Sequence, residues 1–183
     1  MTHIKITGCG KENKTMTATN QSKKTTIETI SYRFTHPETG ESKTSKASLD
    51  KEIYAAVLGK LGKKEGHEFL TSKMRIIRET QAKSWASYLR EVALMQLIPS
   101  ELLEGYLLTP EYEVVMCPSK QGSQGNTAVN IPSTIYYAIG KKMKNKPVDT
   151  VIKEEYFHMR EEQPNEGNFS FALRTRLLKI LTD

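Results

Sequence analysis

The stretch that most constrains the fold is residues 127–162, which read TAVNIPSTIYYAIGKKMKNKPVDTVIKEEYFHMREE. Its opening letters, TAVNI, alternate in polarity, and this alternation predicts a short strand with one buried face. Pro132 and Ser133 then begin a helix, because proline is tolerated in the first helical turn and serine can cap it. The letters KNK end that helix, and Pro147 opens a second one. The sequence therefore predicts one strand followed by two helices.

The predicted strand cannot stand alone. A single strand leaves its backbone donors and acceptors without partners, so a second strand must lie beside it. The simplest partner is the same strand of a second copy of the chain, which predicts a homodimer. The apolar spacing of the two helices predicts the faces that pack beneath the strand. These faces comprise Ile135, Ala138, Ile139 and Met143 in the first helix, and Val148, Val151, Ile152, Tyr156 and Met159 in the second.

This order of elements, carried by VNIPS, IYYAIGKKM and VDTVIKEEYFHM, resembles the ribbon-helix-helix family of DNA-binding proteins over residues 127–162. The resemblance implies that two strands pair across a dimer and enter the major groove of DNA. By position, it implies that Asn126, Ala128 and Asn130 contact the bases. Asparagine suits adenine, and alanine suits the methyl group of thymine.

The resemblance also implies where the phosphates of DNA are held. In the family, the start of the second helix docks a phosphate, because free backbone N–H groups and the helix dipole favour an anion there. In this chain the implied phosphate contacts are Val148 at the helix start, with Lys144 and Lys146 beside it.

The N-terminal half predicts a hairpin followed by helices. Residues 25–34, TTIETISYRF, alternate in polarity, HPETG supplies a turn, and residues 43–48 return as a second strand. Ser48 or Asp50 can cap a helix that Gly62 ends. The letters KKEGHE predict a loop, and residues 68–98 predict either two helices or one long helix. Residues 45–79 weakly repeat the order strand, helix, loop, helix, so a tandem protein whose two motifs pair within one chain is an open alternative.

Together these patterns predict a mainly α fold with short β-strands, of the α+β class, in which a hairpin and helical region precede a ribbon-helix-helix-like C-terminal unit. We expect a flexible basic arm over residues 1–23, a hairpin plus helical domain over 24–117, and a linker over 118–126. Residues 127–183 form the last unit, whose amphipathic C-terminal helix closes the core. In the basic arm the cations are Lys5, Lys11, Lys14 and Lys23.

Charge and composition favour a polyanionic partner. Lysine and arginine outnumber aspartate and glutamate by 27 to 21, giving a formal charge of +6 and a pI near 9.2. Cys9 and Cys117 are far apart and match no zinc-ligand spacing, so we expect free thiols, no metal and no cofactor. No stretch is apolar enough for a membrane span, and no leader peptide is evident, which predicts a cytoplasmic protein without a membrane partner.

These observations predict a DNA-binding protein that is not an enzyme. The first hypothesis is a dimeric, sequence-specific protein that binds double-stranded DNA as a repressor or an accessory factor of a plasmid, phage or mobile element. The alternative is a structural or adaptor subunit of a nucleoprotein or defence complex that binds RNA or single-stranded DNA. In that alternative, the helix with Trp85 and Tyr88 is the docking face for protein.

Overall fold

A computed structural model describes residues 27–36, 38–80, 84–118, 125–163 and 169–183. Over these ranges the protein is a mixed α+β structure of six α-helices and two separate antiparallel sheets, which confirms the predicted fold class. The predicted basic arm and Cys9 lie outside the described residues. In chain order the elements are β1 (Ile27–Thr35), β2 (Ser42–Asp50), α1 (Lys51–Leu61), α2 (Lys63–Thr80), α3 (Trp85–Leu97), a 3₁₀ turn (Ser100–Leu102), β3 (Tyr112–Pro118), β4 (Asn126–Pro132), α4 (Ser133–Lys142), α5 (Val148–Glu162) and α6 (Phe169–Thr182).

The chain contains the same unit twice, a hairpin followed by three helices. We call residues 27–97 the first repeat and residues 112–182 the second repeat. The packing is repeated as well: α1 contacts α2 and α3 as α4 contacts α5 and α6, and α3 contacts β2 as α6 contacts β4. Buried core positions also correspond. In chain order, Ala47, Leu49, Ile53, Val57, Leu70, Met74, Ile77, Leu89, Ala93, Leu94 and Leu97 match Val129, Ile131, Ile135, Ile139, Ile152, Tyr156, Met159, Leu173, Leu177, Leu178 and Leu181.

The predicted N-terminal hairpin and the helix after it are confirmed. β1 pairs antiparallel with β2, and the Ile30–Ala47 pair lies on the buried face of the hairpin. Alternate residues of both strands are exposed, as a two-sided sheet with one buried face requires. Asp50 is the N-cap residue of α1, and Gly62 ends the helix with a φ of 92°, a backbone conformation that favours glycine.

The predicted loop KKEGHE is wrong, because α2 already begins at Lys63. Gly66 lies within this helix and is buried where α2 crosses α1. A Cβ atom on Gly66 would lie 2.8 Å from Leu58 Cδ2 and 3.0 Å from Leu58 Cα. The glycine therefore serves close packing of two helices and is not a loop residue.

The predicted strand at 127–131 has its partner in the same chain, so the expectation that it pairs with a second copy is corrected. β4 pairs antiparallel with β3, and the Val115–Val129 pair lies on the buried face. The register also pairs Pro118 with Asn126. Of the predicted linker, residues 118–126, Pro118 and Asn126 belong to these strands, and residues 119–124 lie outside the described ranges. The segment between the repeats is residues 98–111, which precede β3.

The helices of the second repeat begin where the sequence predicts. Ser133 is the first residue of α4, and α5 starts at Val148 after Pro147. The predicted buried faces are confirmed except at Val148 and Met143, which are half-buried. α6 packs against α4 and α5 and closes the core. No helix within the described ranges is long and apolar enough to cross a membrane.

One carboxylate forms ion pairs with arginines of both repeats. Asp50 Oδ2, at the end of β2, lies 3.5 Å from Arg90 Nε on α3 and 3.3 Å from Arg174 Nε on α6. Arg90 and Arg174 occupy equivalent positions of the two repeats, next to Leu89 and Leu173. Burial lowers the pKa of Arg90, and the nearby Arg174 lowers it further, whereas Asp50 raises it. The position equivalent to Asp50 in the second repeat is Pro132, so one acid serves both arginines.

A second buried contact also crosses between the repeats. Glu91 on α3 accepts hydrogen bonds from the backbone N–H of Thr134 at 3.1 Å and from the hydroxyl of the same residue. The hydroxyl of Tyr106 donates a further bond at 3.4 Å. Glu91 thus satisfies a free N–H group in the first turn of α4. Burial raises the pKa of this carboxyl, against the effect of its hydrogen bonds.

Candidate nucleic-acid interface

The three predicted base contacts lie on the outer face of β4. Asn126, Ala128 and Asn130 are exposed, while the residues that alternate with them point inward. Ala128 lies opposite Met116, which is 47% exposed, and Asn130 lies opposite Val114, which is 59% exposed. This face therefore combines amide and apolar side chains, and these residues provide no cation for phosphate or guanine.

The two lysines predicted to contact phosphate differ in their surroundings. Lys146 Nζ forms an ion pair with a carboxylate oxygen of Glu154 in α5. Lys144 is exposed and forms no ion pair within the described ranges. A phosphate at Lys146 must therefore compete with a carboxylate already in place, whereas Lys144 is available to an anion.

The start of α5 is occupied by protein groups. Val148 is half-buried and follows Pro147, which has no N–H to donate. Asp149 lies in the first turn, and the hydroxyl of Tyr136 donates a hydrogen bond of 2.9 Å to its Oδ1. Burial and the Asp149 carboxylate raise the pKa of Tyr136, which keeps this hydroxyl protonated. A carboxylate thus occupies the helix end where the family resemblance places a phosphate.

The outer face of the β1–β2 hairpin has a different chemistry, and we call it the cationic ribbon. Every side chain of its central cross-strand pairs is exposed and can donate a hydrogen bond. None of them is acidic, and neither Arg33 nor Lys46 forms an ion pair with any residue that the structure describes. The pairs are Thr29–Ser48, Ser31–Lys46, Arg33–Thr44 and Thr35–Ser42.

The inner face of the same hairpin anchors it to the helices. Ile30 and Leu49 are fully buried. Near the tip, the guanidinium of Arg78 on α2 lies 3.6 Å from the ring centroid of Phe34 and 5.4 Å from that of Trp85. Trp85, which we predicted as part of a docking face, is half-buried beside this arginine. These contacts hold the cationic ribbon in a defined orientation.

A cavity of about 340 Å³ lies between β1 and α2, beside the cationic ribbon. Its lining residues include two arginines, Arg33 and Arg75, and one acid, Glu68. Thr71 contributes a buried hydroxyl that has no hydrogen-bond partner among the described residues. His67 also lines the cavity, and its Nδ1 shares a hydrogen bond of 3.2 Å with the hydroxyl of Tyr54. The residues that line the cavity therefore include several hydrogen-bond donors.

The described part of the chain offers little for metal or thiol chemistry. It contains no group of three or more histidine, cysteine, aspartate or glutamate side chains arranged to hold a metal ion. Cys117 is a buried free thiol, and burial raises its pKa to about 11. The thiol is thus protonated at neutral pH, and a protonated thiol is a poor nucleophile.

No family model matches the chain, and neither a curated protein nor a solved structure matches it. The resemblance to the ribbon-helix-helix family therefore depends on residues 127–162 alone.

The cationic ribbon and the cavity were not among the predicted sites, although the sequence contains signals for both. The alternation that predicts β1 and β2 also places Arg33 and Lys46 on their outer face. His67, Thr71 and Arg75 are spaced four residues apart, which places them on one face of a helix. The missing information was that this helix face lies against β1, a tertiary contact that local patterns do not encode.

Proposed function

We propose that the protein binds nucleic acid, with double-stranded DNA as its main ligand, through the cationic ribbon. The observation that supports this proposal is the chemistry of the ribbon face. Its side chains are exposed hydrogen-bond donors, two of them are cations without an ion pair in the described ranges, and none is an acid. Such a face suits phosphate oxygens and base edges, and it lacks the carboxylates that would repel DNA.

The dimensions of the ribbon also suit a DNA groove. β1 and β2 have 9 residues each, and strands of this length extend about 30 Å at 3.4 Å per residue. The major groove of B-form DNA, about 12 Å wide, admits a two-stranded β-ribbon. Residues 1–23 precede β1 in the chain, and their lysines would add sequence-independent attraction to phosphate.

The finer form of this proposal assigns a role to the second repeat. There, the ribbon-helix-helix resemblance suggests that Asn126, Ala128 and Asn130 contact bases, with Lys144 as the available phosphate contact. Because β4 pairs with β3, this second ribbon belongs to one chain and does not require a homodimer. A chain with two ribbons of different chemistry would suit a site-specific repressor or an accessory factor in the processing of plasmid, phage or mobile-element DNA.

The experiment measures the affinity for a labelled 30-base-pair duplex by fluorescence anisotropy at several salt concentrations. We expect Lys46→Gln to weaken duplex binding about three- to tenfold and to reduce the salt dependence by about one phosphate contact. Lys179→Gln is the matched control, since it removes an exposed lysine of α6 that forms no ion pair in the described ranges and lies outside both ribbons. Equal duplex affinity and salt dependence for the wild type, Lys46→Gln and Arg33→Gln would contradict the proposal.

A second candidate function, an adaptor subunit in a nucleoprotein or defence complex, is favoured by one apolar surface. Leu107 is 81% exposed, and the neighbouring Tyr106 lines a groove of about 440 Å³ together with Tyr136 and Tyr137. An exposed leucine beside an aromatic groove is typical of protein contacts. The same anisotropy assay separates the candidates, because tighter binding of a single-stranded 30-mer than of the duplex favours the adaptor.

A further inference from the structure

We infer that the cavity between β1 and α2 is a binding site for a phosphate group. This inference deepens the proposed function, and it depends on that function only for the source of the phosphate. Two sources share this chemistry: the backbone of a nucleic acid lying on the cationic ribbon, or a free phosphate compound.

The charges of the cavity favour an anion. Arg33 of β1 and Arg75 of α2 both line the cavity. Neither arginine forms an ion pair with a residue in the described ranges, so both guanidinium groups are available to a ligand. Guanidinium groups bind phosphate through paired, charge-assisted hydrogen bonds. Two arginines beside one cavity therefore favour the binding of a phosphate there.

The neutral groups of the cavity also suit phosphate oxygens. Thr71 Oγ1 is buried without a hydrogen-bond partner among the described residues, which is unfavourable unless a ligand or water accepts its proton. Ser72 provides a further hydroxyl. The contact between Tyr54 and Nδ1 of His67 orients the imidazole and uses only one of its two nitrogens. The cavity thus offers hydroxyl and imidazole groups in addition to its two guanidinium groups.

The volume and the acid of the cavity define the ligand further. Pockets of about 300–1,000 Å³ are typical of small-molecule sites, and this cavity lies near the lower limit. It can therefore hold a phosphate together with part of the sugar to which it is esterified. Glu68 opposes an anion, although Lys64 Nζ lies 4.0 Å from its Oε1 and partly compensates its charge. Removal of the Glu68 charge should consequently strengthen phosphate binding.

The first arm of the test uses inorganic phosphate as the probe and follows it by NMR titration of the full chain. We expect saturable shifts for residues that line the cavity. Arg75→Gln should weaken phosphate binding about tenfold, as expected for one charge-assisted contact. Glu68→Gln should strengthen phosphate binding a few-fold. Lys73→Gln is the control, because it removes a cation from the same helix but outside the cavity. The absence of saturable binding, or equal weakening by Arg75→Gln and Lys73→Gln, would overturn the inference.

The second arm identifies the source of the phosphate with the 30-base-pair duplex. If Arg75→Gln weakens both phosphate and duplex binding and lowers the salt dependence, the cavity holds a backbone phosphate. If it weakens phosphate binding and leaves duplex binding unchanged, the cavity binds a free phosphate compound. Arg75 is not on the ribbon face. An unchanged phosphate affinity of Arg75→Gln would therefore contradict the phosphate site, whereas an unchanged duplex affinity of Lys46→Gln would contradict the proposed function.

Discussion

The contact of Asp50 with two arginines predicts that Asp50→Asn strongly destabilises the protein. The substitution keeps the shape of the side chain, and asparagine is as good an N-cap residue for α1 as aspartate. It removes the carboxylate that forms ion pairs with both Arg90 and Arg174, whose side chains are each 14% exposed. The atoms lie within ionic contact but without hydrogen-bond geometry, so the interaction that is lost is mainly electrostatic.

The expected loss in the free energy of unfolding of Asp50→Asn follows from these distances. Since both Nε atoms lie within 3.5 Å of one oxygen, the two guanidinium groups are separated by about 7 Å or less. Two like charges at about 7 Å repel by about 2 kcal/mol at an effective dielectric constant of 20. Removing one partner from a buried ion pair costs about 3–5 kcal/mol, and partial exposure favours the lower limit of about 3 kcal/mol. For a chain of this size, that loss lowers the Tm by about 10 °C.

The assay is urea unfolding of the wild type, Asp50→Asn, Arg174→Gln and the double variant. Arg174→Gln in the Asp50→Asn background should recover stability, because it removes the repulsion between the two cations. Glu154→Gln, which breaks an exposed ion pair, is the control and should change the free energy of unfolding by less than about 1 kcal/mol. A loss below about 0.5 kcal/mol for Asp50→Asn, or two losses that simply add in the double variant, would refute the electrostatic reasoning.

Two further predictions concern burial. Because burial raises the pKa of Glu91, the folded protein binds a proton that the unfolded chain has released, so this residue reduces stability as pH rises above about 4.5. The free energy of unfolding of Glu91→Gln, relative to that of the wild type, should therefore rise with pH by at most about 1.4 kcal/mol per pH unit. A difference that stays constant in urea unfolding from pH 4 to 8 would contradict this. Gly66→Ala should destabilise by about 1–3 kcal/mol, because the new Cβ meets the backbone of Leu58. Gly59→Ala, which has open space around it, should be neutral or stabilise by up to about 1 kcal/mol, and thermal melting that ranks the two variants the other way would contradict the packing argument.

The elements with strong local signals could be predicted from the sequence. Alternating polarity predicted the N-terminal hairpin, Gly62 predicted the end of α1, and Pro132 and Pro147 predicted where α4 and α5 begin. β3 was missed because its exposed residues, Val114 and Met116, are as apolar as its buried ones. Without contrast between the two faces, alternation gives no signal.

The candidate nucleic-acid interface was less predictable from the sequence than the elements were, because it depends on contacts between elements. The outward direction of Asn126, Ala128 and Asn130 followed from the strand period alone, and the structure places them on an exposed face. The pairing of Lys146 with Glu154 and of Tyr136 with Asp149 follows from how α4 and α5 pack. Local patterns report which residues share a face, but not which charges meet across two elements.

The duplication also bears on function, because the two repeats have corresponding buried residues but different exposed residues on their hairpins. The buried positions of β2 to α3 in the first repeat correspond to those of β4 to α6 in the second. In contrast, the outer face of the first ribbon is polar and cationic, and that of the second is neutral and partly apolar. Under the proposed function, this difference would assign attraction to phosphate to the first repeat and contacts to bases or protein to the second. Two buried polar contacts link the repeats, because Arg174 in the second repeat has its counter-ion Asp50 in the first, and Thr134 donates hydrogen bonds to Glu91. A ligand held by both ribbons would therefore bind two surfaces whose relative placement depends on the buried contacts of Asp50 and Glu91.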